Sequence, residues 1–99
     1  MVYAFKKQTM KKSLIIRISG QLGGTLFRQA ARQRAEKLGL TGTARNQSNG
    51  ELRIEVEGEE EALQTFQEWC KTGPEGTQVD HVEVMDGPLQ EFDRFMEMR

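Results

Sequence analysis

The residues most open to a chemical reading are Gly20-Gln21-Leu22-Gly23-Gly24-Thr25-Leu26-Phe27-Arg28. The glycines let a backbone turn sharply and approach a ligand closely. The N–H groups of such a turn can converge on one concavity suited to an anion. A helix that starts there adds its own unpaired N–H groups and its positive dipole end. Arg28 falls in the first turn of that helix, where its charge opposes the macrodipole at a cost of roughly 0.3–1 kcal/mol. Local rules are broken most often at functional sites, and a guanidinium holds two phosphate oxygens at once where an ammonium cannot. From spacing alone the first reading is a glycine turn followed by a solvated Arg, and a phosphate-binding loop is the alternative. It is not a Walker loop, because Gly-Lys-Ser/Thr is missing. Asn46 is the second element. Its amide offers an acceptor and a donor, so it can orient a water without being a strong base. Taken alone, it reads as a turn-forming Asn.

The elements that must position these residues follow from hydrophobic periodicity. Ser13 to Ser19 alternates as a strand, with Leu14, Ile16 and Ile18 on one face. Thr25 to Leu38 is a helix with Phe27, Ala30, Ala31, Ala35 and Leu38 as its apolar stripe and Gly39 as its stop. Leu40 to Asn46 is a second strand. Asn49-Gly50 signals a hairpin. Glu51 to Gly58 returns with Leu52, Ile54 and Val56 inward and Arg53, Glu55 and Glu57 outward. Glu59 to Thr72 is a second helix, with acids in its first turn and Ala62, Leu63, Phe66, Trp69 and Cys70 buried. Strands over Thr77 to Met85 and Arg94 to Met98 complete the chain.

The order β-α-β-β-α-β with a short extra C-terminal strand predicts an α+β, ferredoxin-like sandwich: an antiparallel sheet with two helices on one face. Right-handed crossovers then place the third strand between the first and second, antiparallel to both. The ends of strands one and two share one edge of the sheet, roughly 10 Å apart. The glycine loop and Asn46 are predicted to meet there over one small ligand.

The 99 residues, 36% hydrophobic and 29% charged, suit one globular domain. No apolar run approaches the ~20 residues of a bilayer span, so no membrane association is expected. The lone Cys70 can neither form an internal disulfide nor build a metal site alone, which points to a reducing, cytoplasmic compartment. Residues 1–12 read as a basic N-terminal tail, more mobile segment than nucleic-acid arm, ahead of a domain over 13–99. Charge is uneven: residues 1–50 hold ten Lys or Arg and one acid, whereas residues 51–99 hold four and fourteen. Either the basic half meets an anion, or the two halves face and neutralise each other.

The loop and the later Gly42-Thr43-Ala44-Arg45-Asn46 resemble the acylphosphatase motifs Gly-x-Val-Gln-Gly-Val-x-Phe-Arg and Gly-x-Val-x-Asn. Glu57-Gly58, Trp69 and Gly73-Pro74 extend the resemblance over almost all of the chain from Ser13 onward. It implies hydrolysis of small acyl phosphates without metal or cofactor. By resemblance, the amides of Gln21, Leu22, Gly23, Gly24 and Thr25 bind phosphate with Arg28, and Asn46 positions the attacking water. Two residues depart from the motif: Gly23 stands for Gln and Thr25 for Val. The extra glycine costs about 1 kcal/mol to order, which implies a slower enzyme. Thr25 is expected to cap the helix rather than to reach the phosphate.

The other chemistry-bearing residues are expected to be inert. His81 is read as solvent-facing, Cys70 as a small buried hydrophobe, and Met96 and Met98 as core. The ferredoxin-like fold also serves RNA recognition, but strands one and three lack the aromatics that stack bases, so no nucleic-acid partner is expected. A degenerate domain that binds phosphate without turnover is the other alternative. A monomer is expected.

Overall fold

A computed structural model describes residues 10–99. The elements run β1 (Lys11–Gln21), α1 (Leu26–Lys37), β2 (Thr41–Asn46), β3 (Leu52–Glu59), α2 (Glu60–Cys70), β4 (Gln78–Asp86) and β5 (Phe95–Met98). They form one sheet in the order β4-β1-β3-β2-β5. β3 is antiparallel to both β1 and β2, so the crossover through α1 leaves β1 and β2 running the same way with β3 between them. β5 pairs parallel with β2, which makes the sheet mixed rather than wholly antiparallel.

β1 is longer than its apolar alternation suggests. Lys11 and Lys12 pair with Glu59 and Gly58 and belong to the strand, not to a tail. Met10 is exposed; the rest of the expected basic tail, residues 1–9, lies outside the described residues.

The core lies between the sheet and its two helices. Ile16 and Ile18 of β1 and Leu52, Ile54 and Val56 of β3 are buried, as period-two alternation requires. Phe27, Ala31 and Ala35 bury the stripe of α1, and Leu63, Phe66 and Cys70 that of α2. Trp69 joins the two helices, its ring 5.2 Å from Phe27 and 5.8 Å from Phe66. Burial pushes the Cys70 thiol well above the usual range, so it is a packing residue and not a nucleophile. His81 is exposed on β4.

Three side chains depart from the sequence expectation. Glu57 is on the outward face yet only 2% exposed, because the segment after β4 folds over it. Its carboxylate accepts the backbone N–H groups of Gln90 and, at 3.2 Å, Phe92. Met96 and Met98 are half-buried on the open face; Phe95 is the core residue of β5, with its ring 6.5 Å from that of Phe66. The strand therefore enters the sheet one residue out of phase with the expectation, and Glu97 rather than a methionine faces the helices.

Part of the uneven charge is paired between the two halves of the chain. Arg17 bridges to Glu51 and Glu83, Lys12 to Glu60, and Arg28 and Arg32 to Glu97, each pairing a basic residue of the first half with an acid of the second. Hydrogen bonds from Arg17 and Asn49 hold the Glu51 carboxyl below its usual range.

Gly42 sets how closely β2 can approach its neighbours. At φ +150° a Cβ there would stand 1.9 Å from the carbonyl oxygen of Glu55. Both the backbone conformation and the contact forbid a side chain. Gly42→Ala is expected to destabilise the fold by about 3 kcal/mol. Thermal unfolding should show its midpoint lowered by roughly 10–20 °C.

Candidate active site

The loop after β1 is held from beneath and open above. Leu22 is 5% exposed and anchors it to the core, whereas Gly23, Gly24 and Thr25 are exposed. Gly23 (φ +70°) and Gly24 (φ +63°) are consecutive left-handed residues, a backbone state that glycine adopts without steric cost. The carbonyls of Leu22 and Gly23 turn towards the helix and accept the N–H groups of Phe27 and Leu26 at 3.3 and 3.1 Å. Among the described residues, the N–H groups of Gly23, Gly24 and Thr25 make no hydrogen bond. Gln21 stands just before them as the last residue of β1, opposite Gln78.

Thr25 occupies the N-cap position of α1, but its side chain makes no capping hydrogen bond. Its φ and ψ of −89° and −5° are helical, whereas a capping hydroxyl needs an extended backbone to accept from the N–H groups two or three residues further on. The expected cap is therefore absent.

Arg28 is the sole charge in the first turn of α1, which holds no acid. Its side chain is 14% exposed. Nη1 donates to Oδ1 of Asn46 at 2.9 Å and to the carbonyl of Met98 at 3.0 Å. Asn46 ends β2, and its Nδ2 donates to the carbonyl of Gly24 at 3.4 Å. Asn46 thus touches both the glycine loop and the guanidinium. The sheet accounts for this meeting. Ile18 of β1 pairs with Leu52, and Leu52 pairs with Asn46, so Asn46 at the end of β2 stands level with Ile18 across β3, and β1 runs on three residues past it to Gln21 and the glycine loop.

Sequence reasoning missed the contribution of β5. Met98 offers its carbonyl to Arg28, and the Glu97 carboxylate lies 3.5 Å from its Nε. The available signal was the phase of Phe95, the bulkiest apolar residue of the strand: its burial commits Glu97 to the same face. Two surface concavities, of about 440 and 340 Å³, take no lining from the glycine loop, Arg28 or Asn46, although Met98 lines the second. They are lined by the 90–94 segment and by open-face residues including Arg45, Arg53 and Glu55.

The comparisons with known proteins show the family. The acylphosphatase family model matches residues 14–96. An acylphosphatase of Marinobacter nauticus is 42% identical over 79 residues, which cover 79% of this chain and 86% of that one. Among solved structures, an acylphosphatase from Bacillus subtilis is 31% identical with a TM-score of 0.85, covering 91% of this chain and all of that one. One from Coxiella burnetii reaches a TM-score of 0.87 at 26% identity, covering 94% and 100%. The chain belongs to the acylphosphatase family and is a hydrolase of that class. No helix among the described residues is long and apolar enough to cross a membrane.

Proposed function

We propose that the protein hydrolyses the carboxyl–phosphate bond of small acyl phosphates to a carboxylate and inorganic phosphate, as a cytoplasmic monomer and without a metal. The observation that carries this reading is the 2.9 Å hydrogen bond between Arg28 and Asn46 beside a loop in which the amides of Gly23, Gly24 and Thr25 have no partner among the described residues. The phosphoryl oxygens are held by the amides from Gln21 to Thr25 and by Arg28. These groups supply positive potential where negative charge accumulates in the transition state. The hydroxyl of Thr25, free of a capping role, is available to a phosphoryl oxygen.

Asn46 orients the water. Its Oδ1 has two lone pairs and gives one to Arg28, which leaves the other for a water O–H. The water oxygen joins phosphorus and the bond from phosphorus to the acyl oxygen breaks. The electron pair leaves with the carboxylate, and the water proton passes to a phosphate oxygen. A carboxylate is a good leaving group, so positioning and charge stabilisation suffice without a protein acid.

Benzoyl phosphate is the test substrate. The purified protein should hydrolyse it, with inorganic phosphate competing and EDTA without effect. Absence of hydrolysis, or inhibition by phosphate that is not competitive, would remove this reading.

A further inference from the structure

Glu97 is a charge at the site to which the mechanism above gives no task. Its Oε1 lies 3.5 Å from Nε of Arg28, and its Oε2 lies 3.1 Å from Nε of Arg32. The Arg28 and Glu97 side chains are 14% and 18% exposed, so solvent screens them less than a surface pair. Both Nε atoms are buried, and neither makes an aligned hydrogen bond. Charge, rather than directed hydrogen bonding, therefore acts on that side of each guanidinium. Arg28 and Arg32 stand one helical turn apart, where like charges repel, and α1 has no acid in its first turn to offset them. β5 brings in the carboxylate that both face.

We infer that Glu97 is a positioning residue for Arg28. Its carboxylate holds the Nε side of the guanidinium, so that Nη1 stays on Asn46 and Met98 while Nη2 is left for the phosphoryl group. Among the described residues Nη2 makes no hydrogen bond, which fits this division of labour. The inference rests on the phosphate role proposed for Arg28. A guanidinium on a long, flexible stem pivots when one side is released, and a misplacement near 1 Å costs about 100-fold in rate. The same carboxylate weakens the pull of the two arginines on a dianion. Its removal should thus lower turnover without weakening binding.

The experiment compares kcat and KM for benzoyl phosphate in the unmutated protein, Glu97→Gln, Glu97→Asp, Arg28→Ala and the Arg28→Ala/Glu97→Gln double variant. Glu97→Gln keeps the shape and loses the charge. It should lower kcat by roughly 10- to 100-fold, with KM unchanged or lower, and Glu97→Asp should recover part of the loss. In the Arg28→Ala background, Glu97→Gln should change the residual kcat by less than about twofold, as expected for a residue acting through Arg28. An unchanged kcat in Glu97→Gln, a raised KM at constant kcat, or the full Gln effect persisting without Arg28 would overturn the inference. Should Glu97→Gln fail to fold, NMR of the unmutated protein decides. A distinct, slowly exchanging Arg28 Nε–H resonance supports the restraint, and one that exchanges as fast as those of the exposed arginines overturns it. Failure of the phosphate reading has a different mark: Arg28→Ala itself then retains full turnover.

Discussion

Arg28→Ala is expected to lower kcat/KM for benzoyl phosphate by about 10³-fold or more, the range of an arginine that stabilises a transferring phosphoryl group. The loss is electrostatic. The loop amides offer only partial charges, and among the described residues Arg28 is the one full positive charge in hydrogen-bond contact with Asn46. The fold should survive, because the freed Asn46 Oδ1 and Met98 carbonyl are only part-buried and can turn to water, and Glu97 keeps Arg32 as a partner. Arg28→Lys is expected to recover little. An ammonium is a point charge and cannot span Asn46, Met98 and the Glu97 side while also presenting two donors to a phosphate. Steady-state kinetics with circular dichroism on the same samples checks this. A folded Arg28→Ala protein with unchanged turnover would disprove the phosphate role.

Asn46→Ala should cost about 10²- to 10³-fold in kcat, as removal of one preorganised transition-state contact does, with a smaller change in KM. The kcat-weighted loss follows from its proposed partner: a water positioned for attack matters to the chemical step more than to substrate binding. Asn46→Asp separates orientation from charge. The carboxylate would still accept from Arg28, but it would draw off the positive charge needed by a dianion and repel the incoming phosphoryl group. It is expected to raise KM as well as lower kcat. An Asn46→Ala protein in which KM rises and kcat holds would show that Asn46 binds substrate rather than steering water.

The fold was legible where local pattern and burial coincide. β3 shows this best: Leu52, Ile54 and Val56 alternate without exception, and all three are buried. The glycine loop was legible from composition, and Arg28 from its breach of the dipole rule, since the first turn of α2 carries Glu60 and Glu61 where that of α1 carries an arginine. Long-range packing stayed hidden. Nothing in the outward alternation of Glu57 indicates that the chain more than thirty residues later will cover it and donate two backbone N–H groups. β5 is only four residues long, with apolar side chains in both phases, so alternation could not choose between Phe95 and the methionines. That choice of phase concealed the contribution of Glu97 to the site.

The guanidinium of Arg28 draws its protein partners from sequence separations of 18 and 70 residues. Helices form within microseconds, whereas joining distant segments of a chain is slow. A refolding molecule can therefore regain its helical dichroism while the guanidinium still lacks its carboxy-terminal restraint. On the role proposed for Arg28, recovery of hydrolysis is expected to follow the arrival of the final strand, and the interval between the two signals to report how late in assembly that strand is laid against β2.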